Sequence, residues 1–113
     1  MKRVYVAGPY SADNVIDVLT NMRRGMRLAY LVLQAGFAPF VPWFDYQFSL
    51  MGPVSLERYY QYSQSWLEAS DAVIVQELGA AASNGTRAEI ARAHELGIPV
   101  FYSLDELVKW GSE

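Results

Sequence analysis

The sequence predicts an α/β fold, a flavodoxin-like or Rossmann-like doubly wound parallel sheet of four to five strands in the order 2-1-3-4, extended to 2-1-3-4-5 by a fifth strand. Three observations carry that expectation. Short β-branched or aromatic runs alternate with stretches of helical periodicity along the whole chain, and parallel strands need such crossover segments. The second apolar run contains Pro39, which cannot donate to a ladder and therefore belongs at a sheet edge. The run AVIV at 72–75 is apolar throughout, as a strand covered on both faces must be. With 113 residues the chain has room for one domain, spanning residues 1–113.

Each element follows from local chemistry. Residues 4–7 (VYVA) stop at Gly8-Pro9 and read as a buried strand. A long helix is expected over 13–34, where Val15, Val18, Leu19, Met22, Met26, Ala29 and Leu33 recur at helical spacing. Ser11 or Asp13 suits its start and Gly36 its end. Residues 37–41 (FAPFV) form the edge strand, and 43–54 an irregular aromatic connection. A helix over 55–69 leads to the central strand, with Asp71 capping backbone at the corner. After a loop over 77–84 comes a helix over 85–96, closed by Gly97. Residues 99–102 make the last strand and 104–110 a short terminal helix.

Composition narrows the function. The net charge of −3 disfavours a nucleic-acid partner, which would demand a basic face. A hydrophobic share of 52% with 19% charged residues supports a packed core and excludes disorder. No apolar run reaches the roughly 18–20 residues of a membrane helix, so no membrane partner is expected. The absence of Cys removes disulfides, zinc knuckles and thiol nucleophiles, and a single His removes a His-rich metal site. MKRVYVAGPYS runs straight into a strand without a signal-peptide core, which gives a cytoplasmic expectation.

Ligands of such sheets bind beyond the carboxyl ends of the strands, where the chain reverses across the sheet. Here that is the crevice between strands 1 and 3, flanked by loops 8–11 and 79–85. Glu89 is the most informative residue. Thr86, Glu89, Ile90, Ala93, Leu96 and Gly97 share the sheet-facing stripe of their helix, with Arg87, His94 and Glu95 away from it. A carboxylate on a buried stripe is costly unless paired or functional. Its expected place in the first helical turn favours the ionised form, which suits a nucleophile or base; the same place also suits a glutamate that caps its own helix. Ser83, Asn84, Gly85 and Thr86 bring small polar side chains and free N–H groups to a helix start, an anion site or an ordinary N-cap. A neutral Ser83 tolerates a phosphate that an acid would repel. Gly8-Pro9-Tyr10-Ser11 is a second phosphate or ribose loop, without the spacing of either glycine-rich nucleotide motif. Half of the aromatics, among them Trp43, Phe44, Tyr59, Tyr60 and Trp66, fall between 43 and 66. Some could stack on a planar base, while most suit a core or a subunit interface. Asp45 is the acid within PWFDY that could face the pocket.

Taken together, VYVAGPYS, WLEASDAVIV, SNGTRAEIARA and GIPVFY resemble the nucleoside 2-deoxyribosyltransferase family, including its branch of 2′-deoxynucleoside 5′-phosphate N-hydrolases. The resemblance covers nearly the whole chain. It implies that Glu89 attacks the anomeric carbon and that the Tyr5 hydroxyl orients it. It places Gly8, Ser11 and Gly85 around sugar and phosphate, and Ser83 where the phosphate-hydrolysing branch has serine. One position departs. The family commonly has an acid/base Asp eight residues before the position of Asp71, and this chain has Ser63. Asp45, a tyrosine of the cluster or a neighbouring subunit could substitute. The implied reaction is cleavage of the N-glycosidic bond of a nucleoside or its 5′-monophosphate, by hydrolysis or transfer to another base, with no cofactor or metal. The alternative is a nucleotide-binding module with little or no catalysis. The resemblance also implies a homodimer or larger homo-oligomer.

Overall fold

Successive residues of a strand point to opposite faces, and the first strand of this chain is apolar at consecutive positions because both of its faces are covered. The computed structural model describes residues 1–76 and 84–113, without the side chains of Phe44, Tyr46 and Asn84. Strand β1 (Arg3–Ala7) lies between β2 (Ala38–Phe40) and β3 (Ala72–Val75), and β4 (Val100–Phe101) lies beyond β3. All neighbours pair in parallel, in the order β2-β1-β3-β4. The helices are α1 (Val15–Gln34), α2 (Leu56–Glu68), α3 (Asn84–Glu95) and α4 (Leu104–Gly111), with a 3-10 helix (Pro42–Leu50) between β2 and α2.

Two cores result. Val4, Val6, Ala72 and Ile74 meet Ala29 and Val32 of α1 and Leu107 of α4 on one face. Tyr5, Ala7, Val73 and Val75 meet Leu67 of α2 and Ala93 of α3 on the other. This is the doubly wound sheet expected, with four strands among the described residues. Edge strand β2 carries Pro39 opposite Val4. Asp71 accepts the Arg3 amide at 2.7 Å and returns its own amide to the Arg3 carbonyl at 2.8 Å, tying the start of β3 to β1. Gly36 and Gly97 take positive φ of 98° and 72° just past helices α1 and α3, a conformation glycine adopts without a Cβ penalty.

Three expectations need correction. Asn14, and neither Ser11 nor Asp13, caps α1, its Oδ1 accepting the Asp17 amide at 2.9 Å; it directly precedes the first helical residue, where a cap must stand. The buried line of α1 is Gly25, Ala29 and Val32, so Val15, Leu19, Met26 and Leu33 of the expected stripe are exposed. Small residues decide this, because a Cβ on Gly25 would come within 2.7 Å of the Trp43 indole nitrogen. The aromatic connection is also ordered, as the 3-10 helix started by Pro42 at its first position. Among the described residues no helix is long and apolar enough to cross a membrane.

Candidate active site

The strand order puts the segments after β1, β2 and β3 side by side at one end of the sheet. There the loop after β1, the 3-10 helix, α2 and α3 enclose a crevice of about 420 Å³. Of the residues singled out above, Gly8, Tyr10, Ser11, Asp45, Ser63, Gly85 and Glu89 all line it. Tyr5 does not; it is fully buried behind the wall, on the face shared with α2 and α3. Ser83 lies outside the described residues, as do the Asn84 side chain and most of the loop expected over 79–85.

The loop after β1 approaches β3 closely. A Cβ on Gly8 would sit 2.7 Å from Gln76 Oε1 and 2.8 Å from Gln76 Cβ. The Gln76 amide donates to the Ala7 carbonyl at 2.7 Å, so the backbones part only after that bond. From α1, Asn21 donates to the Tyr10 carbonyl at 3.4 Å and ties the loop down. On the far wall, Phe40 stacks on Trp66 with ring centroids 5.2 Å apart, and Tyr62 packs against Phe40 and Phe48. These rings fix α2 against β2. Tyr59 and Tyr60, from the same helix, remain in the crevice. The aromatic cluster therefore divides between packing and pocket.

Helix α3 begins at Asn84, which puts Glu89 in its second turn. The macrodipole expected to hold it ionised weakens beyond the first turn. Burial wins instead, lifting the Glu89 carboxyl to about 7 against a smaller opposing pull from the Tyr5 hydroxyl. In the free protein Glu89 is therefore close to half protonated at neutral pH. Its Oε2 is buried with no hydrogen-bond partner among the described residues, and so is the Tyr5 hydroxyl. The two groups are near enough to perturb each other, and Ser63 also acts on Tyr5, although neither contact has full hydrogen-bond geometry. Burial first, and then the Glu89 charge, keep Tyr5 a neutral phenol far beyond physiological pH.

Asp45 is 3% exposed, and burial pushes its carboxyl up to about 6. The Tyr10 hydroxyl is pushed up to about 12, by burial and then by Asp45 and Glu89. No Lys, Arg or His stands among the described residues that line the crevice. The helical stripe of α3 holds at Thr86 and Ala93, which are buried, and fails at Leu96, which is 39% exposed beyond the end of the helix.

Sequence reasoning missed Gln64 and Gln76. Gln64 lines the crevice. Gln76 is buried at the end of β3, its Nε2 lacking a partner among the described residues. Its place directly after the most apolar strand was the available signal.

Residues 2–103 match the model of a domain family of unknown function, DUF7768, and the chain belongs to that family. No curated protein matches it. Among solved structures, a conserved protein from Enterococcus faecalis V583 superimposes with a TM-score of 0.67 at 19% identity, over 88% of this chain and 61% of that one. The chain thus spans about three fifths of that protein's length. A 2-deoxyribosyltransferase from Bacillus psychrosaccharolyticus superimposes with a TM-score of 0.60 at 16% identity, over 87% of this chain and 69% of the other. At these identities the shared property is the fold.

Proposed function

We propose that the crevice cleaves the N-glycosidic bond of a nucleoside or nucleoside 5′-monophosphate, with Glu89 as nucleophile. The observation that carries this reading is the Glu89 carboxyl itself, buried at the wall of an open crevice with Oε2 unpartnered beside a neutral phenol. An orphaned buried oxygen calls for an explanation, and a ligand atom facing it supplies one. The likeness in fold to a 2-deoxyribosyltransferase supports the same chemistry by analogy.

Ionised Glu89 attacks C1′ as the bond to the base loosens, through an oxocarbenium-like transition state, and forms a glycosyl ester. Water or a second base then attacks C1′ and frees Glu89. Tyr5 positions the carboxyl from behind. Gly8, Ser11 and Gly85 receive the sugar and its 5′ substituent, so that remote binding orients the reacting carbon. Replacing Glu89 with Gln keeps the shape and removes the nucleophile. Chromatography for free base over a panel of 2′-deoxynucleosides and their monophosphates should show a loss of about 10³-fold or more in that variant; unchanged release would overturn the mechanism.

Ser63, where an acid is expected, favours a second reading, a module that binds nucleotides without turnover. Ligand-induced thermal stabilisation with no free base from any member of the panel would select it. Self-association belongs to the same proposal. Val15, Ile16, Leu19, Met26 and Leu33 are exposed along α1, an apolar face that a second copy would cover. Sedimentation velocity should report a dimer or larger assembly, and a monomer at high micromolar concentration would remove that part.

A further inference from the structure

We propose that Asp45 is the general acid that protonates the departing base. The assignment rests on the glycosidase reading of the crevice and supplies the group that Ser63 leaves missing, since a serine hydroxyl does not give up a proton near neutral pH.

The topology brings Asp45 to the right place. The 3-10 helix that carries it follows β2, and α3, which carries Glu89, follows β3. Those strands flank β1 on opposite sides, so the two carboxyls reach the crevice from either side of the β1 end. The Tyr10 hydroxyl, in the loop after β1, feels both charges, as does Tyr5 beneath. Asp45 is 3% exposed yet lines the cavity, and among the described residues no hydrogen bond or ion pair engages its carboxyl. A structural aspartate would be expected to hold a backbone amide or a cation, as Asp71 does with the Arg3 amide. With the sugar at Glu89, a base directed toward the other wall meets Asp45 and the Tyr59 and Tyr60 rings.

The step balances. The C1′–N bond breaks and its electron pair goes to the base, which takes the proton from Asp45 and leaves neutral. A bond forms between C1′ and a Glu89 oxygen. In the second half, the Asp45 carboxylate takes a proton from the attacking water, whose oxygen joins C1′ and expels the Glu89 carboxylate. Among the described residues, the titratable groups that share the crevice or act on its phenols with Asp45 are Tyr5, Tyr10, Tyr59, Tyr60 and Glu89. Burial holds the Tyr5 and Tyr10 hydroxyls neutral over the working range, and the profile is read from the two carboxyls. Raised by burial to about 6 and about 7, they produce a bell-shaped dependence of kcat/KM centred between those values.

The test varies how much the leaving base needs a proton. Wild type and Asp45→Asn are compared on 2′-deoxyguanosine against its N7-methyl derivative, and on 2′-deoxyuridine against 5-nitro-2′-deoxyuridine. The methylated and nitrated bases depart without protonation. The variant should lose about 10²- to 10⁴-fold on the parent substrates and less than about tenfold on the activated ones. In wild type, the alkaline limb seen with a parent substrate should vanish with its activated partner; that measurement stands even if the variant fails to fold. Equal losses on both kinds of substrate, or an alkaline limb that persists, would overturn the assignment and leave Glu89 as nucleophile. Absence of free base from every substrate with wild type would remove both.

Discussion

Glu89 sits where its own charge is expensive, and that expense is measurable. Its folded-state value near 7 exceeds the ordinary 4.5, so below about 4.5 both folded and unfolded chains are protonated and nothing is lost. As pH rises to about 7 the unfolded chain ionises first and stability falls; above that the penalty is constant. The shift corresponds to about 3 kcal/mol. Urea titrations of wild type and Glu89→Gln should therefore converge near pH 4 and separate by up to that amount at pH 8, with the variant more stable. A variant no more stable at pH 8 would mean that the carboxyl is solvated. Tyr5 lowers the Glu89 value, so with an activated base, whose release needs only ionised Glu89, Tyr5→Phe should move the acid limb to higher pH, at about tenfold in rate below that limb for each pH unit it moves. Glu89 was legible because an acid interrupts an apolar stripe. Gln76 was not, because its burial arises from the close approach of Gly8 across the sheet, and its place directly after β3 was the one local sign.

At the scale of elements, helix α1 lies on the sheet through a glycine. Alanine in place of an interior helical glycine ordinarily stabilises by about 1 kcal/mol, but at Gly25 the new Cβ would meet the Trp43 ring at 2.7–3.3 Å. Overpacking of that kind costs about 1–3 kcal/mol. Gly25→Ala should therefore be neutral or destabilising in denaturant titrations, and its strain falls on Trp43, two residues before Asp45. A clear gain in stability would show that the helix and ring have room between them. The strands and helix ends were legible because Pro39, Gly36 and Gly97 mark them chemically; Ser55 and Ser103, which cap α2 and α4 by accepting amides at 3.2 Å, were not read as caps. The face of α1 was not legible, since hydrophobicity ranks Leu19 and Met26 above Gly25 while close packing prefers the smallest residue. The 3-10 helix escaped for another reason, namely that its aromatics supply no periodic stripe to distinguish it from a loop.

At the scale of the whole molecule, alternation of strand-like and helical segments was enough to place β1 and β3 at the centre, and with them the crevice. Every chemically interesting residue then follows one of those strands or faces it from β2's side. The active-site reading depends on that convergence rather than on a cofactor. Acid-quenched reaction with a 2′-deoxynucleoside, followed by trypsin and mass spectrometry, tests it most directly, because cleavage after Arg87 and Arg92 isolates Glu89 in a five-residue peptide, 88–92. A deoxyribosyl adduct is expected on that peptide, carried by Glu89 and absent from Glu89→Gln. Turnover with the adduct on another peptide, or with none trapped at any quench time while Glu89→Gln releases base at the wild-type rate, would contradict it.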